Sequence, residues 1–159
     1  MIIRFEDLKG IREKHGKQKI VLGGGSFDIL HQGHIDYLRD IKALGDVLVI
    51  AVKSDVEVRS YKEVGRPIQE EDVRAAIVDA IRYVDYTIIA PEGSEGDPTP
   101  PRLRVAEELR PDILVSPSPK WHGHEATLKE LGVELKVVPI EKVNSTTSII
   151  ERIRNRPNA

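Results

Sequence analysis

The sequence predicts an α/β fold: a Rossmann-like, doubly wound, mostly parallel five-stranded sheet with helices on both faces. Three observations carry this. Strand-like and helix-like segments alternate along the chain, the pattern of an open parallel sheet. The strand-like segments are near-continuous apolar runs, DVLVIAV at 46–52 being the clearest, as expected for strands buried on both faces. The helix-like segments repeat apolar residues with a helical period and stop at glycines such as Gly45 and Gly132.

In chain order, residues 5–15 set Phe5, Leu8 and Ile11 on one face of a short amphipathic helix. Residues 19–22 form a first strand, and Gly23–Gly25 read as a glycine-rich turn. A helix from about His34 to Leu44 carries Ile35, Leu38 and Ile41 inward. After the second strand (46–52), residues 54–61 form a short helix, 62–69 a loop with a Gly-Arg-Pro turn, and 70–81 another helix. A third strand at 84–90 leads into a surface loop at 91–101 rich in Pro, Gly and acid. A helix at 103–109, a strand at 112–116, a helix at 125–131 and a strand at 134–139 follow. Ser145-Thr146-Thr147 supplies N-cap chemistry for a last helix to Arg154.

Composition bounds the function. The 159 residues fit one domain, read as 1–159, large enough to bury a core without staples. A net charge of −2 gives no electrostatic footprint for nucleic acid. With no cysteine, disulfides, thiolate metal sites and cysteine nucleophiles are excluded. MIIRFEDLKG is too charged for a signal peptide, and the longest apolar runs are strand-sized. The expectation is a cytoplasmic protein with no membrane partner.

The stretch Gly25-Ser26-Phe27-Asp28-Ile29-Leu30-His31-Gln32-Gly33-His34 follows the first strand. In an open α/β sheet that places it beyond the carboxyl ends of the strands, where ligands bind. Glycines let a backbone approach a ligand closely, and a helix start points its positive end at the same place. His31 and His34, three apart at that start, can present two imidazoles to one ligand. The pair could instead hold a metal or be structural, but no third ligand is evident and the surrounding glycines favour an anion site. Phe27 reads as core rather than as a stacking surface, and Asp28 as a turn cap or a group near a metal.

This stretch resembles the GxFDxxHxGH signature of the cytidylyltransferase-like nucleotidyltransferases. Ser145-Thr146-Thr147-Ser148-Ile149-Ile150 resembles their second signature, in the right order and at a compatible distance. Gly65-Arg66-Pro67-Ile68, Arg74, Pro98-Thr99-Pro100 and Arg110-Pro111-Asp112-Ile113-Leu114-Val115 are similar to the adenylyltransferase domain that makes ADP-heptose. Ile81-Arg82-Tyr83-Val84-Asp85 and the Trp121-containing turn look more like glycerol-3-phosphate cytidylyltransferase. At Ser116-Pro117-Ser118-Pro119-Lys120-Trp121 the chain departs from both, lacking the usual acidic residue.

The resemblance implies transfer of a nucleotidyl group from ATP or CTP to a phosphorylated small-molecule acceptor, by a homodimer. Mg²⁺ is expected, held mainly by substrate phosphates. His31, His34 and Lys42 are the expected catalytic residues. Gly25, Ser26, Phe27, Asp28, Gly33, Arg74, Ser145, Thr146 and Thr147 are expected to bind nucleotide and phosphates. Lys62, Arg66, Lys120 and Trp121 are expected on the acceptor side, with Lys62 and Arg66 in a loop that closes over the phosphates. The rival readings are a cytidylyltransferase for glycerol phosphate, another polyol phosphate or a phosphonate, and a non-catalytic nucleotide sensor.

Overall fold

A computed structural model describes residues 1–92, 99–117, 121, 123–140 and 145–156. Five strands, β1 (Ile20–Gly25), β2 (Val47–Val52), β3 (Tyr86–Ile89), β4 (Ile113–Ser116) and β5 (Glu134–Val137), lie in the order β3-β2-β1-β4-β5. Every named pair is parallel, and β1 runs beside β2 from Ile20↔Val47 to Gly25↔Val52. The helices are α1 (Leu8–His15), α2 (Gln32–Lys42), α3 (Asp55–Tyr61), α4 (Glu71–Asp79), α5 (Pro101–Leu109), α6 (Glu125–Glu130) and α7 (Thr146–Arg154).

The apolar strands divide their side chains by alternation. Ile20, Leu22, Val47, Val49 and Leu114 join one core cluster with residues of α1, α5 and α6. Val21, Leu48, Ile50, Ile113 and Val115 join the other, with residues of α2 and α4. Both faces are thus covered, which is why the sequence shows apolar runs rather than a polar–apolar alternation. The outermost strand β5 is only partly buried and places Glu134 and Lys136 on the sheet edge, charges that discourage edge-to-edge pairing.

Two elements differ from expectation. The segment 5–15 is a 3-10 turn (Phe5–Asp7) running into α1, with Asp7 accepting from the Arg4 amide at 2.9 Å. More consequentially, Gly23–Gly25 is not a turn but the last half of β1. Close packing requires glycine at position 24, where a Cβ would stand 2.7 Å from the Ala51 carbonyl oxygen and 2.9 Å from Arg102 Cδ; at Gly23 a Cβ would press on the side-chain tips of Ile41 and Ile50, 2.6 and 2.9 Å away. The two bare positions face opposite sides of the sheet, towards α2 and α5. No described helix is long and apolar enough to cross a membrane.

Candidate active site

The strand order reverses between β1 and β4, and ligands of such sheets bind beyond the strands' carboxyl ends at that point. A cleft of about 680 Å³ lies there, walled by the segments after β1, β2 and β4 and by the starts of α2, α5 and α7.

The α2 wall is built by the segment 25–34. Gly25, Ser26, Phe27, Asp28, His31 and His34 all line the cleft. His31 is the extended N-cap residue of α2, and His34 lies in its first turn. Their rings stack with centroids 3.8 Å apart, and Phe27 packs against His34 at 5.2 Å. Phe27 adopts a positive φ of 50° and is buried, so it closes the loop as core. Each histidine has a buried Nδ1 with no hydrogen-bond partner. Burial lowers the pKa of His31; burial, reinforced by His31, lowers that of His34 to about 4. Both are therefore neutral at pH 7, each carrying one ring N–H that can donate to an anion. Gly33 is buried within the first turn of α2 and is not among the lining residues.

The opposite signature supplies a second helix start at the cleft. Ser145 caps α7: its hydroxyl accepts from the Ser148 amide at 3.1 Å, and its amide donates to the Ser148 hydroxyl at 3.0 Å. The Thr146 hydroxyl donates to the Ile29 carbonyl at 3.3 Å, tying α7 to the loop before α2. Ser145, Thr146 and Thr147 line the same cleft as the histidines. Two segments more than a hundred positions apart thus bring two helix N-termini to one place, where backbone N–H groups and helix dipoles favour phosphate.

Several expected ligands do other work. Lys42 ends α2, about 16 Å along the helix from His31 at 1.5 Å per residue. Its ammonium bonds Asp85 at 2.5 Å and the Asp46 carbonyl at 2.6 Å, at the amino ends of the strands. There it stands away from the cleft and is not among its lining residues, which argues against the expected catalytic role. Arg74 is fully buried, not a phosphate ligand. Its guanidinium donates to the carbonyls of Gln69, Ser26 and Lys53 and to Asp55, which locks the segments after β1 and β2 together. Arg66 lines the cleft, but as a buried, clamped residue and not on a closing flap: its Nε donates to Asp28 at 2.5 Å. The other Asp28 oxygen accepts from the amides of Ile68 and Gln69, so this carboxylate staples the loop 66–69 and is not free for a metal.

On the expected acceptor side, Lys62 and Trp121 both line the cleft, while Lys120 lies outside the described residues. Trp121 is mostly buried and carries the Arg102 guanidinium 4.7 Å from its ring and His124 at 5.8 Å. Among the described residues, no group of three or more His, Asp or Glu is arranged to hold a metal ion.

Sequence reasoning missed Lys53, Glu57, Tyr61, Arg102 and His124, all of which line the cleft. Lys53 pairs with Glu57 and sits 4.5 Å over the Tyr61 ring, whose hydroxyl bonds Ser26 Oγ at 2.6 Å. Lys53 had a usable signal, since it directly follows the carboxyl end of β2. Arg102 and His124 had none.

The cytidylyltransferase-like family model matches residues 22–152, from β1 through most of α7. The chain belongs to the cytidylyltransferase-like family. This cytidylyltransferase-like chain is 36% identical over 154 residues to bifunctional protein HldE of Campylobacter concisus, covering 97% of the chain and 31% of that protein. It is 37% identical to HldE of Helicobacter pylori strain J99, covering 99% of the chain and 32% of the relative. It thus spans about a third of the length of these curated relatives. A solved structure, the lipopolysaccharide core biosynthesis protein of Thermoplasma volcanium, superposes with a TM-score of 0.62 at 33% identity, over 80% of this chain and 99% of that one. The pantoate-beta-alanine ligase of Francisella tularensis shares the fold at 17% identity, with a TM-score of 0.56 over 89% of this chain and 67% of its own. The expected resemblance to the cytidylyltransferase-like family, with the HldE proteins among its relatives, therefore holds.

Proposed function

We propose that residues 1–159 act as one domain that transfers AMP from ATP to the phosphate of a sugar 1-phosphate of the heptose type, releasing pyrophosphate. The observation that carries this is the meeting of the stacked His31–His34 pair and the N-terminus of α7 in one cleft. An acceptor phosphate oxygen attacks the α-phosphorus, the bond to the bridging oxygen breaks, and that oxygen leaves with pyrophosphate. A phosphate is already largely ionised near neutral pH, so no strong general base is required. Rate enhancement comes from positioning and from donors aimed at the charge that grows on the leaving group.

His31 and His34 donate to that charge; Ser145, Thr146 and Thr147, at the start of α7, hold the outer phosphates. The nucleotide enters as its divalent-metal complex, Mg²⁺ in this proposal, because the cleft carboxylates Asp28 and Glu57 are engaged by Arg66 and Lys53. We place the enzyme in the cytoplasm as a homodimer, a state that sedimentation velocity tests.

Purified protein given ATP, Mg²⁺ and heptose 1-phosphate should release pyrophosphate. His34→Ala should lower kcat roughly 10²-fold, and a loss of less than about threefold removes His34 from the mechanism. A parallel assay with CTP and glycerol 3-phosphate tests the second reading, which the placement of Trp121 in the cleft favours. Binding of nucleotide without turnover on any acceptor would make the protein a sensor.

A further inference from the structure

We propose that Arg102 grips the phosphate of the acceptor, and that Trp121 holds its guanidinium in place for that role. This rests on the nucleotidyl-transfer reading and names the residue that selects a phosphorylated acceptor over a neutral one.

Arg102 lies in the first turn of α5, on the sheet face opposite the histidines. Gly24 makes its berth, because any side chain on that residue would collide with the arginine stem. The guanidinium lies over the Trp121 ring, and Nη1 donates to the Val115 carbonyl at 3.2 Å. That bond uses one of the five donors an arginine carries.

The charge around it is unbalanced. Among the described residues no carboxylate pairs with Arg102; the nearby Glu57 is taken by Lys53, and the other cleft arginine, Arg66, is neutralised by Asp28. Burial lowers the Arg102 pKa, the sign of a cation stripped of water without full compensation. A planar guanidinium fixed on an aromatic ring is suited to phosphate oxygens, which it can take two at a time.

The position says which phosphate. The Thr146–Ile29 bond joins the starts of α7 and α2 into one wall, which accounts for the triphosphate. Arg102 and Trp121 form another wall of the same cleft, at the start of α5 and after β4. In-line displacement needs the acceptor oxygen to approach the α-phosphorus from the side opposite the departing pyrophosphate, and with the triphosphate on α2 and α7 we assign the acceptor phosphate to Arg102.

Trp121 is the only tryptophan in the chain, so its fluorescence reports directly on this wall. Wild type, Arg102→Lys and Arg102→Met, each checked for an unchanged thermal midpoint, are titrated with inorganic phosphate and heptose 1-phosphate while Trp121 emission is followed. A non-hydrolysable ATP analogue with Mg²⁺ is titrated by calorimetry. The expected result is a phosphate-dependent change in Trp121 emission and at least a tenfold rise in the acceptor Kd and KM for Arg102→Met. Arg102→Lys should fall between, and ATP-analogue affinity should stay within twofold. If wild type turns over and Arg102→Met keeps the acceptor KM, or weakens the ATP analogue as much as the acceptor, the assignment of Arg102 fails and nucleotidyl transfer stands. If phosphate binds in an Arg102-dependent manner but no nucleotide binds, nucleotidyl transfer fails and the Arg102 site stands.

Discussion

Asp28 and Arg66, thirty-eight positions apart, meet at 2.5 Å with both side chains buried, 1% and 5% exposed. Removing one partner of such a pair leaves an uncompensated charge in a dry site, which typically costs about 3–5 kcal/mol. Asp28→Ala should therefore lower the unfolding free energy by about 3 kcal/mol in urea titration. The double variant Asp28→Ala, Arg66→Met should lose clearly less than the sum of the two single losses, because neither charge is then orphaned. Additive losses would show that the two residues do not act as a pair.

Arg74 makes a complementary case, since its four acceptors come from three separate segments. Arg74→Met leaves buried carbonyls and the Asp55 carboxylate unsatisfied, and should destabilise by about 3 kcal/mol. Arg74→Lys keeps the charge but cannot span the same acceptors, so it should recover only part of that. A change under about 1 kcal/mol for Arg74→Met in chemical denaturation would contradict its role as the lock between the two segments.

The histidine pair makes stability depend on pH. The folded His34 pKa of about 4 lies below its unfolded value of 6.5. Between those values the unfolded chain binds more protons, so stability is lost as pH falls from 6.5 towards 4 and is fully present above that window. One proton contributes at most about 1.4 kcal/mol per pH unit, and His31 acts in the same direction. His34→Asn should flatten the profile measured by urea unfolding between pH 4.5 and 7. A triphosphate favours the protonated form, so ATP-analogue affinity should rise as pH drops from 8 to 6; a flat profile would place the anion elsewhere.

Lys42 gives a negative prediction. Because it pairs with Asp85 at the amino ends of the strands, Lys42→Ala should leave KM and kcat within about twofold. The pair is partly exposed, and such pairs are worth about 1 kcal/mol or less, so the thermal midpoint should fall only slightly. A hundredfold loss of kcat would restore it to the mechanism.

The order of elements was readable because buried parallel strands and amphipathic helices leave different periods in the sequence. The histidines and Ser145–Thr147 were readable because their spacing fixes them to helix starts. Gly23 and Gly24 were misread because glycine signals both a turn and a close approach, and only the packing of Ile41 and Arg102 distinguishes the two. Arg74 was not legible: it is buried with Ala75 and Val78 while Val73 is exposed, so the apolar residues of α4 do not by themselves tell which face turns inward. Lys42 could have been excluded by helix rise alone. Arg102 could not have been found, since its role depends on α5 crossing the sheet beside Trp121.

The alternation of Gly23 and Gly24 has a consequence for redesign. Because successive bare positions of one strand open to opposite faces, the parts of the cleft that we propose for nucleotide and acceptor rest on different helices, α2 on one side and α5 on the other. On those proposed roles, residues around α5 and Trp121 form a cassette whose exchange should change which phosphorylated acceptor is used while the α2 side stays fixed.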